Sequence, residues 1–338
     1  MQRLQVLCQI GLTAAVVAVA APGHAQPPSG APLPYDAAKG RVKNTNMHGI
    51  YQGHQSPKGA FPFVVALIQG DAKNTEEDIY SGQYCTGALI ANHWVLTSAQ
   101  CVSTEENGKT VGLAPGKVDA YAGSVDFKTG KRIKVKRIIV HPEYNTSTYD
   151  NDIALLELAA NAPANTTKTV ALATAQSEAT LGAVGKKVTV AGWGDTEKED
   201  EPRPKVLRHV EMDVLESGMC NANIVKYRMT NGLDGWAKVV QTQFGLSDAI
   251  AGQARSIVAE NTGKVVNDNM LCSGRVRTRR DTCNGDNGAP LFARGADGRF
   301  TLVGLSSWGE GCGLSDKGLY GIYTRVSRYD AWIKQNIK

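Results

Sequence analysis

The chain has 338 residues, of which 42% are hydrophobic and 20% are charged, and it contains 36 glycines. This composition excludes a long coiled coil and a chain that stays disordered for lack of apolar residues, and the length allows one large β-rich unit or two ordinary domains. The formal net charge of +5 is too small to predict specific nucleic-acid binding.

An apolar run near the N-terminus predicts a secretory signal peptide over residues 1–25. Arg3 supplies the positive start, residues 16–21 close the apolar run, and residues 23–25 offer small side chains for cleavage. The alternative is a retained membrane anchor. We therefore expect an exported protein, extracellular or periplasmic, with no membrane anchor after the signal is removed.

The next residues, 26–49, hold four prolines and predict a flexible leader or pro-segment. From there on, short apolar runs alternate with turn residues, a pattern typical of an all-β fold. These runs occupy residues 63–68, 94–96, 153–156, 188–192, 302–305 and 319–323. Two helices are also predicted, one over 248–260 capped by Ser247 and one at the C-terminus capped by Ser327.

Six cysteines follow the signal peptide, and an even number in an exported chain predicts disulfides. They are Cys85, Cys101, Cys220, Cys272, Cys283 and Cys312. Their spacing alone leaves the pairing open. No pair or cluster of cysteine and histidine has the spacing of a zinc site, and the sequence predicts neither a metal nor a cofactor.

Four short motifs follow one another along the chain. They are Trp-Val-Leu-Thr-Ser-Ala-Gln-Cys at 94–101, Asn-Asp-Ile-Ala-Leu-Leu at 151–156, Asp-Thr-Cys-Asn-Gly-Asp-Asn-Gly-Ala-Pro at 281–290, and Ser-Trp-Gly-Glu-Gly-Cys at 307–312, followed by Gly-Ile-Tyr-Thr-Arg-Val at 321–326. In this order they resemble the chymotrypsin/trypsin family of serine endopeptidases over about residues 50–338. The resemblance implies one protease domain of two antiparallel β-barrels over 50–338, with a helical insertion at about 222–266 and a C-terminal helix.

The resemblance assigns the three catalytic positions of the family to Gln100, Asp152 and Asn287. The family uses a serine nucleophile, a histidine base and a buried aspartate that orients the histidine, so only the aspartate is retained. A carboxamide nitrogen has no lone pair to attack with, and glutamine does not titrate near neutral pH. Loss of nucleophile or base alone lowers turnover by about 10⁶-fold, so we expect a folded protein without catalysis.

Other parts of the family's site persist. The resemblance places the oxyanion donors at the backbone N–H groups of Gly285 and Asn287, which a change of side chain need not remove. It also places the new N-terminus of an activated enzyme at Ile50, where the free ammonium pairs with Asp286. Gly49 stands where a basic residue usually precedes the cut. We therefore expect no cleavage of the trypsin type before Ile50. We also expect the pocket loops to be mobile, as they are in a zymogen.

The same resemblance implies a specificity pocket for a basic side chain. Asp281 matches the acid at its base, and Ser307, Gly309 and Gly321 match its walls. A buried carboxylate at the end of an open slot favours an Arg or Lys side chain. The alternative is that Asp281 merely pairs with one of the two arginines that precede it in the chain.

The resemblance also pairs the cysteines and marks two further surfaces. The implied disulfides are Cys85–Cys101, Cys220–Cys272 and Cys283–Cys312. The insertion borders the substrate groove in the family and is either a partner surface or a tolerated surface loop. Two basic stretches, at 131–137 and 275–280, are either solvated surface or a binding site for an anionic polymer or surface. In the first, alternation places Arg132, Lys134 and Lys136 on one strand face.

The sequence thus predicts a secreted homologue of trypsin-like serine proteases that is catalytically inactive and acts by binding a peptide, a protein or an anionic surface. One alternative is an active endopeptidase that cuts after Arg or Lys with atypical catalytic residues. The nearby side chains that could replace the missing catalytic groups are Ser98, Ser306, Ser307 and His141. None of them lies on a catalytic position. A second alternative is a structural or adhesive secreted domain.

Overall fold

The computed structural model describes residues 50–196, 203–230, 247–250, 252–253 and 263–337. The chain divides into two compact units, and the larger one extends to Cys220 and resumes at Val266. The described residues of the smaller unit lie within Asn221–Val265. The predicted signal peptide and leader lie outside the described residues. Within them, no helix has the length and apolar character needed to span a bilayer.

The secondary structure of the described residues is mostly β-strand. The strands are β1 (His54–Gln55), β2 (Val64–Gln69), β3 (Gln83–Ala91), β4 (Trp94–Thr97), β5 (Ser103–Glu106), β6 (Lys109–Gly112), β7 (Val118–Ala122), β8 (Lys131–Val140), β9 (Ala154–Leu158), β10 (Ala171–Leu172), β11 (Lys187–Gly192), β12 (Arg208–Leu215), β13 (Met270–Gly274), β14 (Pro290–Arg294), β15 (Phe300–Trp308) and β16 (Gly321–Arg325). The α-helices are α1 (Glu76–Gly82), α2 (Ala175–Leu181), α3 (Ser217–Arg228) and α4 (Asp330–Asn336). Short 3₁₀ turns lie at Ala99–Cys101, Pro115–Lys117, Ser315–Lys317 and Val326–Tyr329.

The first barrel closes in the order β2-β3-β4-β9-β8-β7, with every neighbouring pair antiparallel. Its strands are rich in β-branched and large apolar residues, which pack well on a pleated surface. β2 and β9 bury almost every side chain, so these strands read as continuous apolar runs rather than as alternating ones. A closed barrel of this kind leaves no exposed strand edge.

The second barrel contains β12-β11-β14-β15-β16-β13, and pairing of β13 with β12 closes it. β1 extends it beside β12, and β10 pairs in parallel with β15. Its apolar cluster includes Val188, Val190 and Leu291, and Ile50 is fully buried in the same cluster. The expected all-β fold of two antiparallel barrels is therefore confirmed.

The two predicted helices turn out differently. Residues 248–250 and 252–253 are helical, and the N–H of Ile250 donates to Ser247 Oγ at 3.4 Å, while the rest of the predicted helix lies outside the described residues. The C-terminal helix α4 begins at Asp330, after a 3₁₀ turn. Ser327 is therefore not its cap, because the Ser327 hydroxyl donates to Glu178 instead.

The structure contains the three disulfides that the family resemblance implies. Cys85–Cys101, Cys220–Cys272 and Cys283–Cys312 have Cα–Cα distances of 6.1, 6.5 and 5.2 Å. These distances fall in the range that a disulfide spans without backbone movement. The first bridge ties β3 to the short turn after β4, and the third ties together two loops of the second barrel.

Candidate active site

The ends of two paired strands bring Gln100 and Asp152 together. β4 and β9 are antiparallel neighbours with Thr97 opposite Ala154. Residues that follow β4 and residues that precede β9 therefore lie at the same edge of the barrel. Gln100 sits in the 3₁₀ turn after β4, and its neighbour Cys101 is fixed by the disulfide to β3.

Asn287 lies on a turn that is attached to both barrels. Its carbonyl accepts from the N–H of Thr86 in β3 at 2.9 Å, and the next N–H, that of Gly288, donates to Ser306 in β15 at 2.8 Å. Gly288 has a φ of +77°. A Cβ there would lie 2.2 Å from Thr97 Oγ1 and 2.3 Å from the carbonyl oxygen of Thr86. Only glycine fits this close approach, which positions Asn287 beside Gln100.

A chain of hydrogen bonds links the three matched positions. Asn287 Nδ2 donates to Gln100 Oε1 at 2.7 Å. Gln100 Nε2 donates to Asp152 Oδ2 at 2.5 Å and to the carbonyl oxygen of Ser307 at 2.7 Å. Carboxylate and carbonyl oxygens only accept, so the orientation of the Gln100 amide is fixed. Asn287 must therefore be the donor to Gln100.

Asp152 is fully buried and accepts two further hydrogen bonds. They come from the backbone N–H of Gln100 at 2.9 Å and from Ser307 Oγ at 2.6 Å. Burial raises the pKa of Asp152 to about 6, against the lowering effect of the Ser307 and Gln100 hydrogen bonds. The sequence placed Ser307 in the pocket wall but gave no sign that its hydroxyl donates to Asp152.

No histidine joins this network within the described residues. The rings of the described histidines make their contacts elsewhere: His54 with His209, His93 with Trp94, and His141 with Tyr329 and Trp332. The three serines considered for rescue are also engaged: Ser98 with Cys101 Sγ, Ser306 with Thr282 Oγ1, and Ser307 with Asp152. Among the described residues, the network around Asn287 therefore contains two carboxamides, the Asp152 carboxyl and the Ser307 hydroxyl, and no imidazole.

The backbone of the same turn presents two N–H groups without an acceptor in the described part of the chain. The carbonyl of Asn284 accepts from the N–H of Asp195 at 3.2 Å, and the carbonyl of Asp286 accepts from the N–H of Ala289 at 2.8 Å. In a trans peptide the carbonyl and the following N–H point in opposite directions. The N–H groups that follow, those of Gly285 and Asn287, are therefore turned away from these partners and remain available to a ligand.

Arg203 lies against this turn, a placement that no sequence motif indicated. Its Cζ, Nη1 and Nη2 atoms each lie 3.1 Å from where a Cβ on Gly285 would be. Its Nε donates to the carboxylate of Asp195, and its Nη1 donates to the backbone and side-chain oxygens of Gln83 at 2.9 and 3.1 Å. Nη2 has no acceptor among the described residues. Gln83 in turn donates to the carbonyl oxygen of Gly285 at 3.0 Å.

The matched pocket acid, Asp281, is a buried carboxyl without a cationic partner in the described residues. It is 2% exposed and accepts from the N–H groups of Thr282 at 2.8 Å and Gly313 at 3.2 Å. Burial raises its pKa to about 8, against the effect of these two hydrogen bonds. A Cβ on Gly321 would lie 3.1 Å from its Oδ1, and a Cβ on Gly309 would meet nothing closer than 3.9 Å. The carboxyl therefore packs close to Gly321, where a side chain would crowd it, while the space at Gly309 is open.

The two arginines before Asp281 do not pair with it. Arg279 stacks over the ring of Tyr51, with Cζ 4.5 Å from the centroid, and its Nε donates to the carbonyl oxygen of Gly313 at 3.1 Å. No ion pair joins Arg280 to Asp281 in the described part of the chain. The alternative in which Asp281 pairs with one of these arginines is therefore not observed among the described residues, and its role in a pocket stays a prediction.

Ile50 and Asp286 both lie inside the protein. Ile50 is fully buried, and the next residue, Tyr51, forms a β-bridge with Asp281. The Asp286 carboxylate accepts from the N–H groups of Gly194 at 2.8 Å and Cys283 at 3.2 Å, and burial raises its pKa to about 7. Backbone donors therefore hold Asp286 in the intact chain. The predicted lack of cleavage before Ile50 and the mobility of the pocket loops stay predictions.

Most of the basic side chains in the first basic stretch have acidic partners. Ile133 and Val135 point inward from β8, which leaves the intervening basic residues on the outer face as the alternation predicts. Asp119 pairs with Arg132 and Lys134, and Glu157 pairs with Lys136 and Arg137. In the second stretch, Arg275 pairs with Glu211 at 3.5 Å. Pairing reduces the charge that the first stretch offers to an anionic partner, and binding of an anionic surface stays a prediction.

Comparisons with known proteins agree with this geometry. The family model described as Trypsin matches residues 50–333. Rat cationic trypsin-3 is 28% identical over 85% of this chain and 89% of its own length, and rabbit vitamin K-dependent protein C is 31% identical over 86% of this chain. The chain spans about half the length of the rabbit protein, 52%. A solved structure of neuropsin, titled a serine protease expressed in the limbic system of mouse brain, aligns with a TM-score of 0.59 at 26% identity, over 86% of this chain and 100% of that chain. The chain belongs to the trypsin family.

Proposed function

We propose that this protein is an exported, non-catalytic member of the trypsin family that binds a peptide or protein ligand through a basic side chain. The observation that carries the proposal is the hydrogen-bond chain from Asn287 through Gln100 to Asp152. Its middle member has its oxygen occupied by Asn287 and its amide hydrogens directed at Asp152 and Ser307. Neither carboxamide takes up a proton near neutral pH, so general-base activation of a nucleophile has no agent here.

The ligand class follows from the pocket acid. Asp281 is buried, lies beside Gly321 and has no cationic partner in the described part of the chain. A guanidinium or ammonium group supplies the missing charge and the missing hydrogen bonds. Export is supported by the three disulfides, since such bonds persist mainly in oxidising compartments, and by the predicted signal peptide.

The test is hydrolysis of an arginyl ester by the purified protein beside the double variant Gln100→His/Asn287→Ser. We expect no turnover above the reagent blank for the unmodified chain and measurable turnover for the double variant. The matched control is Gln335→His/Asn336→Ser, which makes the same two changes on the surface of α4. Turnover by the unmodified chain that remains after contaminating proteases are removed by inhibitor affinity would refute the proposal. It would favour an active endopeptidase with atypical residues.

If neither protein has activity, a second measurement, the binding of benzamidine, distinguishes an intact ligand pocket from a structural role. Binding that is lost in Asp281→Asn supports the ligand pocket. The lack of activity then means only that the two substitutions do not suffice to restore catalysis. Failure of the unmodified chain to bind benzamidine would contradict the proposed ligand class and favour a structural role.

A further inference from the structure

The groups that surround Gly285 and Asn287 are hydrogen-bond donors. The two backbone N–H groups have no acceptor among the described residues, as argued from the carbonyl partners of the preceding peptides. Asn287 Nδ2 uses one hydrogen on Gln100 and keeps a second. Arg203 adds Nη2, which has no acceptor in the described part of the chain and lies beside Gly285. Four donors around one turn, with no nucleophile beside them, suit an anion rather than a bond to be broken.

The reaction of the family explains why the charge of the ligand matters at these donors. An active serine protease binds a carbonyl whose oxygen becomes negative only in the transition state. If that state does not form in this chain, the donors bind most strongly a ligand that already carries negative charge. A free α-carboxylate places negative charge at the carbon that an active protease would attack, and it has two oxygens for two sets of donors.

Resting on the proposed function, we infer that the preferred ligand is a peptide with a C-terminal arginine or lysine, whose free α-carboxylate binds at Gly285, Asn287 and Arg203 while its side chain reaches Asp281. Such a peptide is the product of a cut after a basic residue. A reaction of that class, carried out by another protease, must therefore supply the ligand. No bond is made or broken in the binding step.

Arg203 is held in place for this role by its neighbours. Its Nε pairs with Asp195, which is 3% exposed, and its Nη1 is bound by Gln83, so the guanidinium is fixed with Nη2 left over. The Arg203 side chain is itself 14% exposed, so it is not closed off from solvent. A charge-assisted hydrogen bond to a carboxylate is roughly twice as strong as a neutral one.

The experiment compares three fluorescent peptides of one sequence by polarisation. The first ends in arginine with a free carboxylate, the second ends in argininamide, and the third continues beyond the arginine by two alanines. We expect the free carboxylate to bind at least tenfold more tightly than either of the others. Equal affinities, or tighter binding of the amide or of the extended peptide, would overturn the inference.

A matched pair of variants locates the effect. Arg203→Gln is expected to lower the ratio of carboxylate to amide affinity several-fold. Lys205→Gln, two residues away and paired with the surface residue Glu77, is expected to leave the ratio unchanged. Benzamidine binding by Arg203→Gln reports whether the Asp281 pocket is folded, and a ratio that is unaltered in a folded Arg203→Gln contradicts the role of Arg203.

The outcomes of this experiment distinguish failure of the inference from failure of the proposed function. Absence of a carboxylate preference with benzamidine still bound overturns only the inference. Cleavage of the extended peptide between arginine and alanine refutes the proposed function, because it requires a catalytic apparatus. Failure of all three peptides and of benzamidine to bind removes both the inference and the ligand class on which it rests.

Discussion

Benzamidine is expected to bind this protein more tightly as the pH rises towards 8. Its amidinium stays charged throughout this range and requires an ionised Asp281. Without a ligand, however, burial raises the pKa of Asp281 to about 8, with backbone N–H groups as its hydrogen-bond donors. Below pH 8 the carboxyl must therefore release a proton before the ion pair forms.

The size of the effect follows from that pKa. A group with a pKa of about 8 is ionised in about one hundredth of the molecules at pH 6 and in about nine tenths at pH 9. The apparent association constant should therefore rise roughly tenfold per pH unit up to pH 7 and level off above pH 8, a gain of about ninety-fold between pH 6 and pH 9.

Isothermal titration calorimetry between pH 5.5 and pH 9 at constant ionic strength measures both the affinity and the proton release. In two buffers of different ionisation enthalpy, about 0.9 of a proton should leave per benzamidine bound at pH 7. Asp281→Asn should remove the binding, and Asp297→Asn, on an exposed turn, should change neither quantity. Binding that depends on Asp281 but is independent of pH would refute the argument, because it would mean that the buried carboxyl is ionised before the ligand arrives.

Two further predictions concern stability and are measured by urea unfolding. Gly288→Ala should lower the free energy of unfolding by about 2 kcal/mol more than Gly59→Ala, since both have a φ of +77° but only the first would place a Cβ against Thr97 and Thr86. Equal losses would show that this part of the turn is not tightly packed. Unfolding free energy should also fall by about 1 kcal/mol from pH 7 to pH 8. Buried Asp281 and Asp286 have pKa values raised to about 8 and about 7, so the folded state holds protons that the unfolded chain has already released, and stability is lost as these groups ionise. Asp281→Asn should remove most of this slope, and a slope unchanged in that variant would contradict its assignment.

Much of the architecture could be predicted from local pattern. The apolar runs at 94–96 and 188–192 became β4 and β11, because strand-forming residues between turn residues leave few other ways to bury them. Helix α1 was missed, although Thr75 followed by acidic residues is a helix-start signal and its hydroxyl accepts from the N–H of Asp78. The cap at Ser327 was wrong because a distant residue, Glu178, takes its hydroxyl, and no local pattern contains that information.

The candidate site shows the same division. Motif matching named Gln100, Asp152 and Asn287, and strand ends and a glycine turn bring the three side chains together. Arg203 was not found, because its neighbours Asp195, Gln83 and Gly285 come from three separate segments. Ser307 was found as a pocket residue, but its hydrogen bond to Asp152 depends on the closing of the barrel and not on any motif.

The two substituted side chains are best understood as one unit. A buried carboxylate needs donors, and Gln100 supplies one through Nε2, which forces its Oε1 towards position 287. That oxygen needs a donor in turn, and Asn287 provides it with an amide that donates and does not ionise. Either change alone would leave a polar partner less well satisfied or a serine without its base. Together they give a closed network of hydrogen bonds that satisfies the buried Asp152 carboxyl.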